Sequence, residues 1–583
     1  MFLTTSQVLT DCVLQALEQL GYVIPQPFEQ VQPTKNLKFG DYQSNHAFRV
    51  ARQERTNPRA LAERVRQALP PHDGIEKVEV AGPGFLNFYL RDSFLADQLK
   101  AQVEDRYCGV PQEHDKCMVI DYSSPNVAKR MHIGHMRSTI IGNTIDRLYR
   151  FCGWKVVADN HIGDWGTQFG RLIVQWNQDA DLEQFDKDPI GELERLYVSF
   201  SNEEDPAFLK EKEEQARLET AKLQAGDPVN RELWRRFIDV SLKEFEGVYE
   251  RLGVRFDEVL GESAYNEELP GVVSELLEHG LATTSNGACI VSFPKEIEPK
   301  ILSQTTLVIQ KKDGAYLYGT TDLATLEHRR KTWNPDKVIY VTDTRQQLHF
   351  QQVFSTWRSW CSVRSTANEL PDLVHTWFGM LKLPEGAMSS RKGNVIRLVD
   401  LLEEAIRRAR TVVDEKSPEY SEEERRHVAE AVGVGALRYA DLCQNPQSDV
   451  LFSWNKMLSL EGNTAPFLMY GYARARGIQR KAGQDKDQLK HLQVHGELER
   501  ALALKLLQFP SVVQGAAYLQ RPNLLCDYLY EAANAFNRFY AQNSVLHAET
   551  EALKKSRLAL VEAMLRIMKQ GLNLLGIPTL ERM

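Results

Sequence analysis

Several frameworks are missing from this chain. Its eight cysteines are scattered through 583 residues, with no Cys-x-x-Cys pair and no spacing that gathers zinc ligands. That predicts reduced thiols in a cytoplasmic setting and no bound metal centre. No apolar run approaches the roughly 18 residues that a membrane-spanning helix needs. The N-terminus, Met-Phe-Leu-Thr-Thr-Ser-Gln, has neither a basic opening nor an unbroken apolar stretch, so no secretory signal is expected. A positive charge excess is lacking too, the net charge being −8. The sum hides an imbalance, because Lys and Arg outnumber Asp and Glu by 4 over residues 441–583. Charge distribution governs attraction to a polyanion, so a nucleic-acid partner stays open.

What is present reads as an ordinary globular chain of several domains, 43% hydrophobic and 26% charged. Residues 1–110 read as a small α/β module. Val8, Leu9, Cys12, Val13, Ala16, Leu17 and Leu20 mark one helix face, and Val78–Val80 and Phe85–Leu90 read as strands around Gly82-Pro83-Gly84. Residues 111–390 read as a Rossmann-like, doubly wound nucleotide fold interrupted by a charged, helix-rich insertion around 178–285. Strand-like runs reappear at Thr305–Gln310 and Val338–Val341. Residues 391–440 connect onward, and Ser421-Glu-Glu-Glu424 is a capping box opening a helix toward Arg438. From 441 to 583 the pattern is helical almost throughout, which predicts an all-α domain.

One stretch carries the chemistry. The apolar run Met118-Val119-Ile120 reads as a buried strand, Ser123-Ser124-Pro125-Asn126 as a polar turn, and His132-Ile-Gly-His135 as the entrance of a helix. Strand, sharp turn and helix form the half-unit in which α/β nucleotide-binding proteins set phosphate against helix amides. Gly134 leaves room for close approach of a ligand, and the whole reads as an ATP site.

Residues 125–135 resemble the HIGH signature of class I aminoacyl-tRNA synthetases, and the flanking Ser-Ser-Pro-Asn and Ala-Lys-x-Met-His resemble the arginyl family. Asn160-His-Ile-Gly-Asp-Trp-Gly-Thr-Gln-Phe-Gly170, Phe39–Asn45 and Val80–Phe88 are similar to the same family, as are Val432–Leu442 and Phe467–Arg476. The resemblance implies an arginine–tRNA ligase with an N-terminal domain touching the tRNA elbow and an all-α C-terminal anticodon-binding domain. It implies ATP with Mg²⁺ as substrate and no tightly bound cofactor. Arginine and tRNA would be the other partners, the protein a monomer, and activation would wait for tRNA.

Residue roles follow by resemblance. Lys129, His132, His135 and Lys392 would be catalytic. ATP would meet Pro125, Asn126, His132, Gly134, His135, Gly163, Asp164, Gly166, Phe378 and Met380. Arginine would meet Asp121, Ser124, Asn126, Tyr318, Asp322 and Gln346. A guanidinium is planar and always charged, and bidentate carboxylates hold it best. Tyr318 and Asp322 share a face if their segment is helical, although a lone Asp on a turn is commonly a cap. Leu383–Asn394 is similar to the KMSKS loop but departs from it, with Ala387 where the first lysine would stand and Ser390-Arg391-Lys392 blurring the second. Lys129 is the substitute that the resemblance suggests. Tyr470, Arg474 and Arg476 would face tRNA, since unpaired bases stack on rings while guanidinia meet phosphates. Aromatics at helical spacing also fit a packed core. Two rivals stay open: a cysteinyl specificity, disfavoured by the missing cysteine cluster, and a tRNA-binding relative without catalysis.

Overall fold

The computed structural model describes residues 3–22, 30–34, 36–202, 205–296, 299–364, 370–382, 396–483 and 487–583. Two compact units emerge, one of Glu113–Leu458 and the other of Met1–Gln112 together with Ser459–Met583.

In the first unit the apolar runs become a parallel sheet in the order Asp372–Phe378, Lys337–Asp343, Cys117–Asp121, Lys155–Asp159. Parallel strands need crossovers on the sheet faces, so Val119, Ile120, Val338 and Ile339 are buried throughout. From Cys117–Asp121 the chain first moves to one neighbour, Lys155–Asp159, and returns later to the other. The strand order therefore reverses between Cys117–Asp121 and Lys337–Asp343, and a crevice belongs at their carboxyl ends. Within the ladder Asp121 lies opposite Asp159.

The insertion forms helices that share one start signal. Pro189–Ser201, Pro206–Gln224 and Pro228–Leu252 each follow an aspartate whose side chain accepts a first-turn N–H, with proline at the first helical position. The charged stretch that by composition could pass for disorder is thus largely helix. The strand-like run at Thr305–Gln310 is a strand, Thr306–Gln310, in a separate antiparallel sheet with Ala282–Ser285 and Ala288–Ser292. Asn286 and Gly287, at φ 50° and 82°, make the tight turn that folds those first two strands on each other. Ser421 caps the helix Glu422–Leu442 through the reciprocal pair predicted for it. That helix and the residues through Leu458 pack with the sheet unit, past the boundary at 440 that composition suggested.

The second unit is discontinuous in sequence. An antiparallel sheet, Gln32–Pro33, Tyr42–Ser44, Phe85–Leu90 and Ile75–Ala81, comes from the N-terminal part. The C-terminal part supplies five helices of ten residues or more, from Ala465–Ala482 to Glu551–Leu574. Arg500 joins the two parts. Its Nη2 donates to Asp41 Oδ2 at 2.7 Å and to the Leu90 carbonyl at 2.8 Å, and it also pairs with Asp92. Asp41 is buried, so removing its partner strands a carboxylate. Arg500→Met is expected to destabilise this unit by about 3 kcal/mol, read by chemical denaturation against the parent chain.

Candidate active site

The turn after Cys117–Asp121 is held in an uncommon shape. Ser123, Ser124 and Ala128 sit at φ 72°, 46° and 62°, a region costly for side chains with a Cβ. The surroundings over-determine it. Ser123 N–H donates to Ser138 Oγ at 2.9 Å, its hydroxyl meets Thr139 and Tyr249 at 2.8 Å each, and Ala128 N–H donates to Ser241 Oγ at 2.9 Å. Ser124 N–H donates to Asn160 Oδ1 at 3.1 Å. The turn is zipped to the glycine-rich loop through Gly163 N–H to the Pro125 carbonyl (3.1 Å) and Val127 N–H to the Gly163 carbonyl (3.2 Å). A Cβ at Gly163 would fall 2.1 Å from Asn126 Oδ1 and push the Asn126 amide out of its place. Pro125, Asn126 and Gly163 therefore form one wall, and Gly166, at φ 111°, caps the helix Thr167–Asp179.

His132 caps the helix Ile133–Phe151. Its Nδ1 accepts Gly134 N–H at 3.0 Å, while His132 N–H donates to His135 Nδ1 at 3.1 Å. The rings lie 4.0 Å apart, inclined by 35°. Burial, followed by the charge of His132, pushes the His135 pKa down to about 3. Burial, then Lys129 and Arg345, lowers that of His132. Both imidazoles are neutral near pH 7, and with each Nδ1 accepting, each Nε2 carries the proton. The pair is a set of two N–H donors at a helix entrance. Gly134 also makes room for the capping imidazole, since a Cβ there would meet the His132 ring at 2.7 Å.

Lys129 rests its ammonium 4.0 Å from the Tyr197 ring centroid. Tyr197 lies on Pro189–Ser201, a helix fastened to the turn because Arg130 N–H donates to Glu194 Oε1 at 2.8 Å. Tyr197 also lies within electrostatic reach of Tyr318. Tyr318 opens the helix Tyr318–Trp333, is 68% exposed, and shares a helix face with Asp322 four residues on. Asp322 is not a cap. Its Oδ2 takes His349 Nε2 at 2.5 Å. Burial opposes charge on His349, but the Asp322 hydrogen bond and charge outweigh it and raise the pKa. Gln346 is exposed beyond the carboxyl end of Lys337–Asp343.

Three acids expected to meet ligand behave differently from one another. Both Asp121 oxygens have internal partners: Ser124 Oγ donates to Oδ1 at 2.8 Å, and Arg329 Nη2 to Oδ2 at 2.7 Å. Asp121 and Ser124, expected to meet arginine, are thus also bonded within the protein, Asp121 to the guanidinium of Arg329. Asp164 is likewise bonded within the protein. Its carboxylate accepts Ser263 N–H at 2.8 Å and Ser263 Oγ–H at 2.6 Å, so it anchors a loop. Asp322 alone keeps a place beside the exposed Tyr318. Sequence reasoning missed Glu262, whose pKa burial pushes up to about 8, with the charges of Asp322 and Asp164 adding. Arg345 was missed too. Asp343 grips it through Nε at 2.9 Å, and its charge acts on His132. The Asp-x-Arg spacing at a strand end was the available signal for Arg345. For Glu262 there was none.

Phe378 is buried, whereas Met380 is exposed. Lys392 and the rest of the KMSKS-like stretch lie outside the described residues. In the other unit Arg474 stacks 4.8 Å from the ring centroid of the exposed Tyr470. Arg476 is bonded to Glu581 at 2.9 Å. Among the described residues no group of three or more His, Cys, Asp or Glu could hold a metal ion. No helix there is long and apolar enough to cross a membrane.

Comparison with known families decides the affiliation. The model for the class I tRNA synthetase (R) catalytic domain matches residues 98–454. The chain belongs to the arginyl-tRNA synthetase family. The arginyl tRNA synthetase N-terminal domain matches residues 7–90, and the DALR anticodon binding domain matches 468–583. Curated relatives include the arginine–tRNA ligase of Fusobacterium nucleatum, 44% identical over 99% of this chain and 100% of its own. That of Shewanella piezotolerans is 43% identical over 98% of each. Among solved structures, arginyl-tRNA synthetase from Plasmodium falciparum aligns with a TM-score of 0.82 at 26% identity, covering 100% of both chains. The Thermus thermophilus enzyme gives 0.83 at 25%, covering 99% of this chain and 100% of its own.

The electrostatics of the site can be read without substrate. Titration followed by NMR of the imidazole carbons is expected to show His135 neutral down to about pH 5, while His349 protonates above the usual value of about 6.5.

Proposed function

We propose that this protein joins arginine to tRNA in two steps. An arginine carboxylate oxygen attacks the α-phosphorus of ATP, taken as its magnesium complex, and the bond to the bridging oxygen breaks to release pyrophosphate. A hydroxyl of the terminal tRNA adenosine then attacks the arginyl carbonyl, AMP leaves, and the hydroxyl proton passes to the departing phosphate or solvent. No protein nucleophile is needed in either step, so catalysis rests on positioning and on fixed donors at the transferring phosphorus. The Nε2–H groups of His132 and His135 supply such donors, with Lys129 and Arg345 as cations beside them. Tyr470 and the Arg474 stacked on it would serve tRNA in the other unit. A monomeric working form and a cytoplasmic location belong to the same reading.

The observation that carries it is the carboxylate pair Asp322 and Glu262. The charge of Glu262 also acts on Tyr318, which lies within electrostatic reach of Tyr197, the ring under Lys129. Two acids beside an exposed tyrosine suit the forked cation of arginine, and neutral donors suit a triphosphate. ATP–pyrophosphate exchange with tRNA, run with each amino acid, tests the reading. Exchange with arginine alone supports it, exchange with cysteine alone would transfer it to the cysteinyl specificity, and none with any amino acid would leave a non-catalytic tRNA binder.

His135→Asn is expected to cut the exchange rate by about a hundredfold or more while changing substrate KM values little, since the donor acts mainly on charge that develops in the transition state. An unaltered turnover number removes His135 from the site.

Glu262 gives a pH signature. With its pKa at about 8 it is mostly protonated near neutrality, and a bound guanidinium favours the ionised form. Arginine binding then releases a proton, so kcat/KM for arginine should climb as pH rises toward 8 and level off above it. Glu262→Gln should abolish that limb of the profile, and a limb that persists in the variant assigns it to another group.

A further inference from the structure

Arg137 stands two residues beyond His135 on the histidine helix and is 1% exposed. Its Nε donates to Asp441 Oδ1 at 2.7 Å. Nη1 donates to the carbonyls of Gly379 at 2.6 Å and Ser448 at 3.1 Å, and Nη2 to that of Pro446 at 3.3 Å. The guanidinium carbon also lies 5.5 Å from the centroid of the Phe378 ring.

These acceptors lie in two stretches that are themselves zipped together. Gly379 N–H donates to the Pro446 carbonyl at 3.0 Å, Met380 N–H to Asp449 Oδ1 at 2.8 Å, and Val450 N–H to the Met380 carbonyl at 3.0 Å. Leu381 and Lys382 then pair in parallel with Val450 and Leu451. The approach leaves no space, since a Cβ on Gly379 would come 2.6 Å from the Ser448 carbonyl. On the far side of residues 383–395 the chain returns to the histidines. Ile133 N–H donates to the Ile396 carbonyl at 3.1 Å, and Leu398 N–H to that of Met131 at 2.9 Å. Both flanks of 383–395 are thus fastened to the start of the histidine helix, one through main chain and the other through Arg137.

We propose that Arg137 is a positioning residue for ATP, holding the Phe378–Met380 edge in fixed register with His132 and His135. The two ends of the nucleotide would then meet one rigid frame. A guanidinium is required because its fork spans acceptors from Asp441 to Gly379, which a single ammonium cannot do. The proposal rests on the reading above, in which ATP is the nucleotide.

The test uses the full chain in ATP–pyrophosphate exchange, with KM measured for ATP and for arginine and a thermal unfolding midpoint recorded beside them. Arg137→Lys is expected to raise KM for ATP by about tenfold or more, with KM for arginine within about twofold. Gly379→Ala, which pushes the same junction from the opposite side, should show the same selective loss with Arg137 intact. It decides the matter if Arg137→Lys fails to fold. A lowered midpoint with an unchanged ratio of the two KM values in both variants, or failure of both to fold, overturns the proposal and leaves Arg137 a purely architectural group. Absence of arginine-dependent exchange in the parent chain would instead sink the reading on which it rests.

Discussion

The crevice depends on one buried guanidinium. Arg329, 0% exposed, places Nη2 2.7 Å from Asp121 and 2.6 Å from Asp159, the facing residues at the ends of two adjacent strands. Left alone, two facing carboxylates in a buried ladder would repel and shed charge, and one cation between them turns repulsion into attachment. The attachment also fixes where the helix Tyr318–Trp333 starts, because Arg329 is part of it. Through that helix Arg329 ties Tyr318 and Asp322 to the carboxyl ends of the two strands.

The site uses charge of two kinds in two places. At the histidine turn burial suppresses charge, leaving neutral N–H donors that need no counterion when a phosphate departs. Around Asp322 burial concentrates carboxylates instead, and His349 offsets part of that charge through its bond to Asp322. Glu262 stays mostly protonated near neutrality because burial, and after it the charges of Asp322 and Asp164, penalises its ionised form. Lys129, resting on Tyr197, stands where these regimes meet.

Whatever lay within one contiguous stretch was legible in the sequence. His132, Gly134 and His135 were readable as a helix entrance because capping and spacing are local properties. The Ser421 box was equally local. The Asp121 bond to Arg329, 208 positions away, was not legible, because a strand-end acid looks the same with or without a cation above it. Glu262 went unnoticed for a related reason: its shifted pKa comes from burial and from neighbours on other elements. The run at Thr306–Gln310 has the composition of a sheet strand, and only its partners decide which sheet. The bond of Arg476 to Glu581 was hidden because the two are 105 residues apart.

The split second unit bears on how the molecule is made. Asp41 and Arg500 are separated by 459 positions, yet each completes the other's surroundings. At synthesis rates of about 5–20 residues per second, the N-terminal sheet leaves the ribosome tens of seconds before its helical counterpart exists. During that interval Asp41 has no Arg500, and the face that will bear the helices is open to water and to other nascent chains. Nascent copies of this protein should therefore rely on chaperones until translation ends, and a ribosome stalled within the central domain would strand a module that cannot finish folding.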